Sequence, residues 1–332
     1  MKGSAKLSSF TLAVLALMLI SVDVAYGGEP DYPTKPITCY IPYGAGGSAD
    51  LSARALMEVA TKYTGQKFIP INRAGAGGAL AAMAVANSKP DGYTLGVIPT
   101  SAAFMAPFSE DNPYRDLSGF TMIMNFSHYI YLMGVKGDAP WKTWQEFIQW
   151  AKRNPGAAKI AITGTKSNSS TGMFLWQLEK KEQVEFNDIP LKSSLEILTA
   201  FLGGHITVYF STIDASTMQY IKEGKLRILL YAGGPKAPGY ENVPTAQELY
   251  GFSIPNVLGI MGPKGLPDHV LKKLDVMLEK AVKDPEFGDA MKKMNMPVVY
   301  QNRAEMNAYV EKTFREMAQI FKDLKAEEGK RK

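Results

Sequence analysis

The sequence predicts an α/β protein built from two units. Three observations carry this reading. Strand-like and helix-like runs alternate from Ile37 to Ile98 at a spacing of about 28 residues, which argues for βαβ units around a parallel sheet. A second alternation of the same kind begins near Tyr129. With 332 residues, the chain also exceeds the ~250–300 at which a single core stops growing.

Taken in order, Lys2 and Lys6 precede an apolar run from Phe10 to Val22 that is too short to span a bilayer comfortably, and Ala25-Tyr26-Gly27 offers small residues for cleavage. Residues 1–27 are therefore expected to be a secretory signal. The single cysteine, Cys39, lies inside a predicted strand, which excludes an internal disulfide and leaves core burial to hold the fold together. With 46% hydrophobic residues the chain can supply that core. The formal charge is +5, and +4 once Lys2, Lys6 and Asp23 leave with the signal. So mild and dispersed a charge, without an arginine–aromatic stripe, argues against nucleic acid as a partner.

The first strand, Ile37–Ile41, runs into Pro42-Tyr43-Gly44-Ala45-Gly46-Gly47-Ser48-Ala49-Asp50 and then a helical pattern carrying Leu51, Ala55, Val59 and Tyr63. A glycine-rich strand-to-helix turn exposes backbone N–H groups at the positive end of a helix, so its natural guest is an anion. Ser48 is expected to cap the helix and Asp50 to complement its dipole, a structural task. Gly44, Gly46 and Ala49 also fit the dinucleotide spacing G-x-G-x-x-A, and Arg73 after the second strand, Phe68–Ile71, would suit a 2′-phosphate. A second glycine turn, Asn72–Gly78, opens a small-residue helix, Ala79–Ala86, and a third strand, Tyr93–Ile98, ends at Pro99-Thr100-Ser101-Ala102. Ligands of open parallel sheets lie beyond the strands' carboxyl ends, where these turns converge, so Thr100 and Ser101 join the candidates.

In the second unit, strands are predicted at Tyr129–Val135, Lys159–Thr163, Asn187–Leu191, Ile206–Phe210 and Lys225–Tyr231, and helices at Trp144–Arg153, Met173–Lys181 and Ser194–Leu202. The hydroxyl-rich turn Gly164–Gly172 is the counterpart of the first glycine turn, and Ser211 closes the Ile206–Phe210 strand. The last third is helical (Asp268–Val282, Phe287–Met294, Ala304–Leu324), with a strand at Val298–Tyr300. Met306, Val310, Phe314, Met317, Phe321 and Leu324 form a core-facing stripe, and the lysine-rich end after Ala326 is expected to fray.

The string Tyr32–Ile37, Pro42–Asp50, Asn72–Gly78, Pro90–Leu95, Ile189–Lys192, Leu202–Gly204, Ile221–Arg227, Val243–Thr245 and Glu248 resembles the substrate-binding proteins of tripartite tricarboxylate transporters, the Bug family of periplasmic receptors. The resemblance covers about residues 32–320 and rests on shared order and spacing. It implies a two-domain periplasmic-binding-protein (Venus flytrap) fold, type II-like, with two crossovers, near Phe126–Tyr131 and Gly251–Leu258. Residues 28–127 with 254–332 would form one domain and 128–253 the other. It also implies a periplasmic monomer without catalysis, metal or cofactor, which binds a small organic carboxylate between its domains and serves permease subunits in the membrane. Carried over, the solute contacts are Tyr43, Gly46, Gly47 and Ser48 on one side and Thr163, Gly164, Ser169 and Ser170 on the other. Two positions depart from the family pattern: Met173 stands where a histidine is common, and Ser211 where an acidic residue is frequent, which argues against an ammonium-bearing solute.

The competing reading is an exported nucleotide- or phosphate-dependent enzyme using the glycine turns. Against it, the sequence lacks a P-loop and a nucleophile elbow, and His128, His205 and His269 stand alone without an acid–base or metal-ligand set. Backbone N–H groups and hydroxyls are neutral donors suited to a carboxylate, while Tyr43 and Phe104 are candidate walls for a flat ring. Aromatic acids and citrate-like acids both stay open.

Overall fold

The computed structural model describes residues 31–75, 78–98, 118–163, 165–166, 169–191 and 193–330. Contacts divide the chain into residues 1–32 and a body of residues 33–332, and the architecture here is that of the body. The predicted signal lies outside the described residues, as do Thr100, Ser101, Phe104 and Gly164.

Chain order begins with β1 (Ile37–Ile41), α1 (Ser48–Thr64), β2 (Phe68–Asn72), α2 (Ala79–Ala86), β3 (Thr94–Val97), β4 (Phe120–Ser127) and β5 (Tyr131–Lys136). It continues with α3 (Trp144–Arg153), β6 (Lys159–Thr163), α4 (Ser170–Glu182), β7 (Asn187–Leu191), α5 (Ser194–Leu202), β8 (Tyr209–Thr212), α6 (Ala215–Lys222) and β9 (Leu226–Gly233). The remainder is α7 (Ala246–Tyr250), β10 (Leu258–Pro263), α8 (Asp268–Lys283), α9 (Pro285–Lys293), β11 (Val298–Gln301) and α10 (Arg303–Lys330).

The first sheet has the order β11-β4-β10-β3-β1-β2. Its β1, β2 and β3 run parallel as expected, but β10 is antiparallel to both β3 and β4, and β11 is antiparallel to β4, so the sheet is mixed. Strands β4 and β10 escape the sequence reading. In β10 the glycines and the closing proline look like a turn, yet a Cβ on Gly259 would lie 2.4 Å from the Met124 carbonyl oxygen, so this glycine permits close strand approach.

The second half holds the antiparallel sheet β8-β5-β9 and the parallel pair β6-β7. A parallel bridge between Ile160 and Val208 joins them. That bridge explains why β8 begins at Tyr209, three residues later than predicted: Thr207 and Val208 first donate to the Lys159 carbonyl of β6. Ser211 consequently lies within β8, buried and opposite Leu132, and does not end the strand.

The chain leaves the six-stranded sheet after β4 through residues 128–130 and returns through residues 251–257. These are the two crossings that the family resemblance implied. Asn256, 2% exposed, ties them together: its Oδ1 accepts the Tyr129 N–H at 3.0 Å and its Nδ2 donates to the Tyr129 carbonyl. The Asn256 N–H in turn donates to the hydroxyl of Tyr309 on α10 at 3.0 Å.

Apolar periodicity places the helices well, with particular exceptions. In α1 the buried face is Ala49, Ala53, Leu56, Met57, Val59 and Ala60, while Leu51 and Tyr63 are exposed. Along α10, Met306, Val310, Met317 and Leu324 are buried as predicted, with Thr313 buried beside a half-buried Phe314. Helix α10 does not fray at Ala326 but continues to Lys330, and the Glu327 carboxylate pairs with Lys180 of α4 at 2.6 Å. The short helices α6 and α7 were not predicted; Asp214 and Thr245 cap them, accepting N–H bonds from Thr217 and Glu248.

Candidate functional site

The first glycine turn is held from beneath by one carboxylate. Asp50 is 2% exposed, and its Oδ2 accepts the Gly46 N–H at 2.9 Å. Its Oδ1 accepts from the Arg54 Nε at 2.8 Å, one helical turn on, and from the Asn72 Nδ2 at 2.8 Å. Asn72, the last residue of β2, also donates to the Tyr43 carbonyl at 2.9 Å, and its own Oδ1 accepts from Arg54 Nη2 at 2.8 Å. Burial alone would raise the Asp50 pKa, but the Gly46 N–H, the Asn72 amide and the Arg54 guanidinium outweigh it and hold the carboxyl below its ordinary range. Asp50 is thus structural, as expected, and Asn72 is engaged within the turn.

Gly46 takes φ +82°, a left-handed conformation that glycine adopts without strain, and its N–H is held by Asp50. The cap is not Ser48. Gly47 is the N-cap, at φ −77° and ψ 166°, and Ser48 is the first helical residue. A glycine cap has no side-chain acceptor, so α1 begins without the capping bond that Ser169, Ser193 and Asp214 supply to α4, α5 and α6. Around this bare end Gly44, Gly46 and Gly47 are exposed and Tyr43 and Ser48 half-buried.

The second turn is arranged differently. Thr163 closes β6, paired with Leu191; its side chain lies outside the described residues. The Ser169 hydroxyl is engaged locally, accepting the Gly172 N–H at 3.0 Å and donating to the Thr165 carbonyl at 2.9 Å. Ser170 and Thr171 are buried at the start of α4. The one cation of the turn, Lys166, is neutralised by Glu179 and Asp188, each 2.9 Å away. Burial works against its charge, yet these two carboxylates more than compensate and raise its pKa. Among the described residues, the two turns therefore carry backbone N–H and hydroxyl groups, and their one cation is paired. Ser211 is buried within β8, paired with Leu132.

A chain with this mixed sheet, two crossings and glycine-turn helix start can be set beside known proteins. Its residues 52–325 match the family profile of the tripartite tricarboxylate transporter family receptor. The chain belongs to that family. A Cupriavidus necator relative, described as the UPF0065 protein in gbd 5'region, is 31% identical over 313 residues, 94% of each chain. Among solved structures, a TctC solute binding protein from Polaromonas shares 27% identity at a TM-score of 0.74, covering 88% of this chain and 100% of its own. The periplasmic binding protein BugD shares 26% at 0.71, covering 88% of this chain and 98% of its own. R. palustris Rpa4515 with adipate and MatC from Rhodopseudomonas palustris with bound malate share the fold, at TM-scores of 0.74 and 0.71 and identities of 21% and 22%.

Family membership decides between the two functional readings: the protein is a solute-binding receptor of this periplasmic family and not a nucleotide-dependent enzyme. In the receptor, three features of the site escaped sequence reasoning. The Asp50–Arg54–Asn72 brace was foreshadowed only by the i,i+4 spacing of Asp50 and Arg54. Tyr129 and Tyr131, half-buried with ring centroids 6.3 Å apart, sit where the chain enters the second half. Burial raises both phenols' pKa values and keeps them neutral. The alternation Tyr129-x-Tyr131 was the available signal. Finally, Met173 is fully buried in an apolar cluster with Val85, Met261, Met306, Val310 and Leu324, so it packs where the family pattern has a histidine.

Proposed function

We propose that the receptor captures a small mono- or dicarboxylate in a cleft between two lobes, residues 28–127 with 254–332 and residues 128–253, and hands it to the permease subunits of a tripartite transporter. Residues 1–27 would direct it to the periplasm and be removed there. One observation carries this reading: the uncapped start of α1, behind a glycine turn held in shape by Asp50. Unpaired N–H groups at the positive end of a helix stabilise an anion without a guanidinium. With Lys166 already neutralised, the hydroxyl turn suits a second carboxylate or a hydroxyl of the same solute. The adipate and malate complexes of proteins with this fold support the class. Tyr43, Tyr129 and Tyr131 furnish an apolar wall, which keeps aromatic acids among the candidates beside citrate-like ones.

A thermal-shift panel of carboxylates, amino acids, sugars and nucleotides tests this function. Binding to the folded state stabilises by RT ln(1 + [L]/Kd), about 2.7 kcal/mol at a hundredfold excess over Kd. For a protein of this size, with about 2.1 cal/mol/K of unfolding entropy per residue, each kcal/mol raises the melting temperature by roughly 1.5 °C. Small carboxylates are expected to produce that rise. Stabilisation by sugars or nucleotides and by no carboxylate would refute the anion-turn reading.

A further inference from the structure

Helix α4 is buried on two faces that belong to different cores. Phe174, Leu175 and Leu178 pack into the cluster of Met133, Phe147 and Phe210 in the second half of the chain. Met173, fully buried, and Trp176 instead join the cluster of α2, β10 and α10 that covers the six-stranded sheet. Lys180 continues this second face at helical spacing, pairing with Glu327 of α10 at 2.6 Å with its ammonium 6.0 Å from the Trp176 ring centroid. A groove of about 880 Å³ borders the contact, lined by Lys166, Trp176, Lys180, Asp188, Leu324 and Glu327, so solvent reaches it from one side.

Helix α10 therefore touches three places in succession. Its first turns pack on the six-stranded sheet at Met306, its Tyr309 hydroxyl accepts the Asn256 N–H at the crossing, and its last turns meet α4. We infer that α10 is a brace across the two lobes, and that its contact with the Met173–Trp176–Lys180 face of α4 sets the balance between closed and open forms before solute arrives. This rests on the two-lobe reading proposed above. A receptor whose binding-competent form is only partly populated has its apparent affinity reduced by that fraction, so residues of the brace control affinity without touching solute. The exposed ion pair sets register more than strength, whereas the buried Met173 supplies the apolar hold.

Charge reversal at the contact tests the brace by small-angle scattering of the solute-free protein. Lys180→Glu and Glu327→Lys are each expected to enlarge the radius of gyration and to weaken binding of whichever carboxylate stabilises the wild type by about two- to fivefold. The double exchange Lys180→Glu with Glu327→Lys is expected to restore both. Met173→Ala should expand the protein further and weaken binding at least tenfold; because it also leaves a cavity, the exposed-pair variants decide the matter if it does not fold. An unchanged radius in both single reversals, or a double exchange as expanded as the single ones, would overturn the brace. The scattering measurement needs no ligand, so a panel in which carboxylates fail would refute the proposed solute and leave this result standing.

Discussion

Asp50→Ala is expected to abolish measurable carboxylate binding and to lower the stability of the folded protein by about 1.5–3 kcal/mol, the range for losing half-buried hydrogen bonds to a charged acceptor. The carboxylate is the common acceptor for the Gly46 N–H, the Asn72 amide and the Arg54 guanidinium, so its removal takes one bond from each of three donors at once. Gly46 then loses the bond that fixes its left-handed conformation, and Asn72 loses one of the two bonds by which it holds the turn. Asp50→Asn retains one acceptor oxygen but directs an amide towards donors, and should fall between. Because the folded-state pKa is depressed, the stabilising contribution is present above the ordinary carboxyl pKa and is lost as pH falls through the folded value. Denaturant unfolding with calorimetric titration of the stabilising solute checks both effects. A variant that binds normally would show that the turn keeps its shape without Asp50.

The second large effect is a dependence on pH that comes from the crossing. His128 follows β4, its Nε2 is buried without a hydrogen-bond partner among the described residues, and its ring lies 6.2 Å from that of Tyr309. Burial pushes its pKa down from 6.5 to about 4, so the folded protein keeps the imidazole neutral while the unfolded chain protonates it. The stability present above pH ~6.5 therefore falls as pH drops towards ~4, by about 3 kcal/mol in total at 1.36 kcal/mol per unit. Asp and Glu groups with depressed pKa values lose their contributions lower, and Asp275, whose pKa burial raises, gains stability as it is protonated, so a decline between pH ~6.5 and ~5 points to the histidine. His128→Gln is expected to flatten the unfolding midpoint across that interval. An equal decline in wild type and variant would assign the loss to other groups.

How far the sequence foretells this molecule depends on whether a feature is local. The β1–α1–β2–α2–β3 succession was legible because alternating apolar runs and glycine turns lie close in sequence, and β6, β7 and α5 match their predicted ends. Strands β4 and β10 were missed because they are defined by one another: Gly259 is a strand residue only when the Met124 backbone lies beside it, more than a hundred residues away. The site divides in the same way. Tyr43 to Ser48 could be read as an anion turn, but the cap assigned to Ser48 belongs to Gly47, and the hold of Asn72 on Tyr43 and Asp50 crosses from β2 to the turn after β1 and to α1. The burial of Met173 in the cluster of α2, β10 and α10 depends on tertiary packing that no window of sequence contains.

Whether the bare start of α1 receives the solute carboxylate is the central claim, and Gly47→Val addresses it. Gly47 has φ −77°, which valine adopts freely, and a Cβ there would meet only the Gly44 carbonyl oxygen at 3.7 Å, an ordinary contact. The fold should thus survive while the added methyl groups stand between the helix N–H groups and an approaching anion. Titration calorimetry with the stabilising carboxylate, run beside thermal unfolding, is predicted to show binding weakened at least tenfold with a solute-free melting temperature lowered by only about 1–2 °C, the cost of valine in place of glycine at an N-cap. Wild-type affinity in a variant that melts like the wild type would contradict the account and remove this turn from the site.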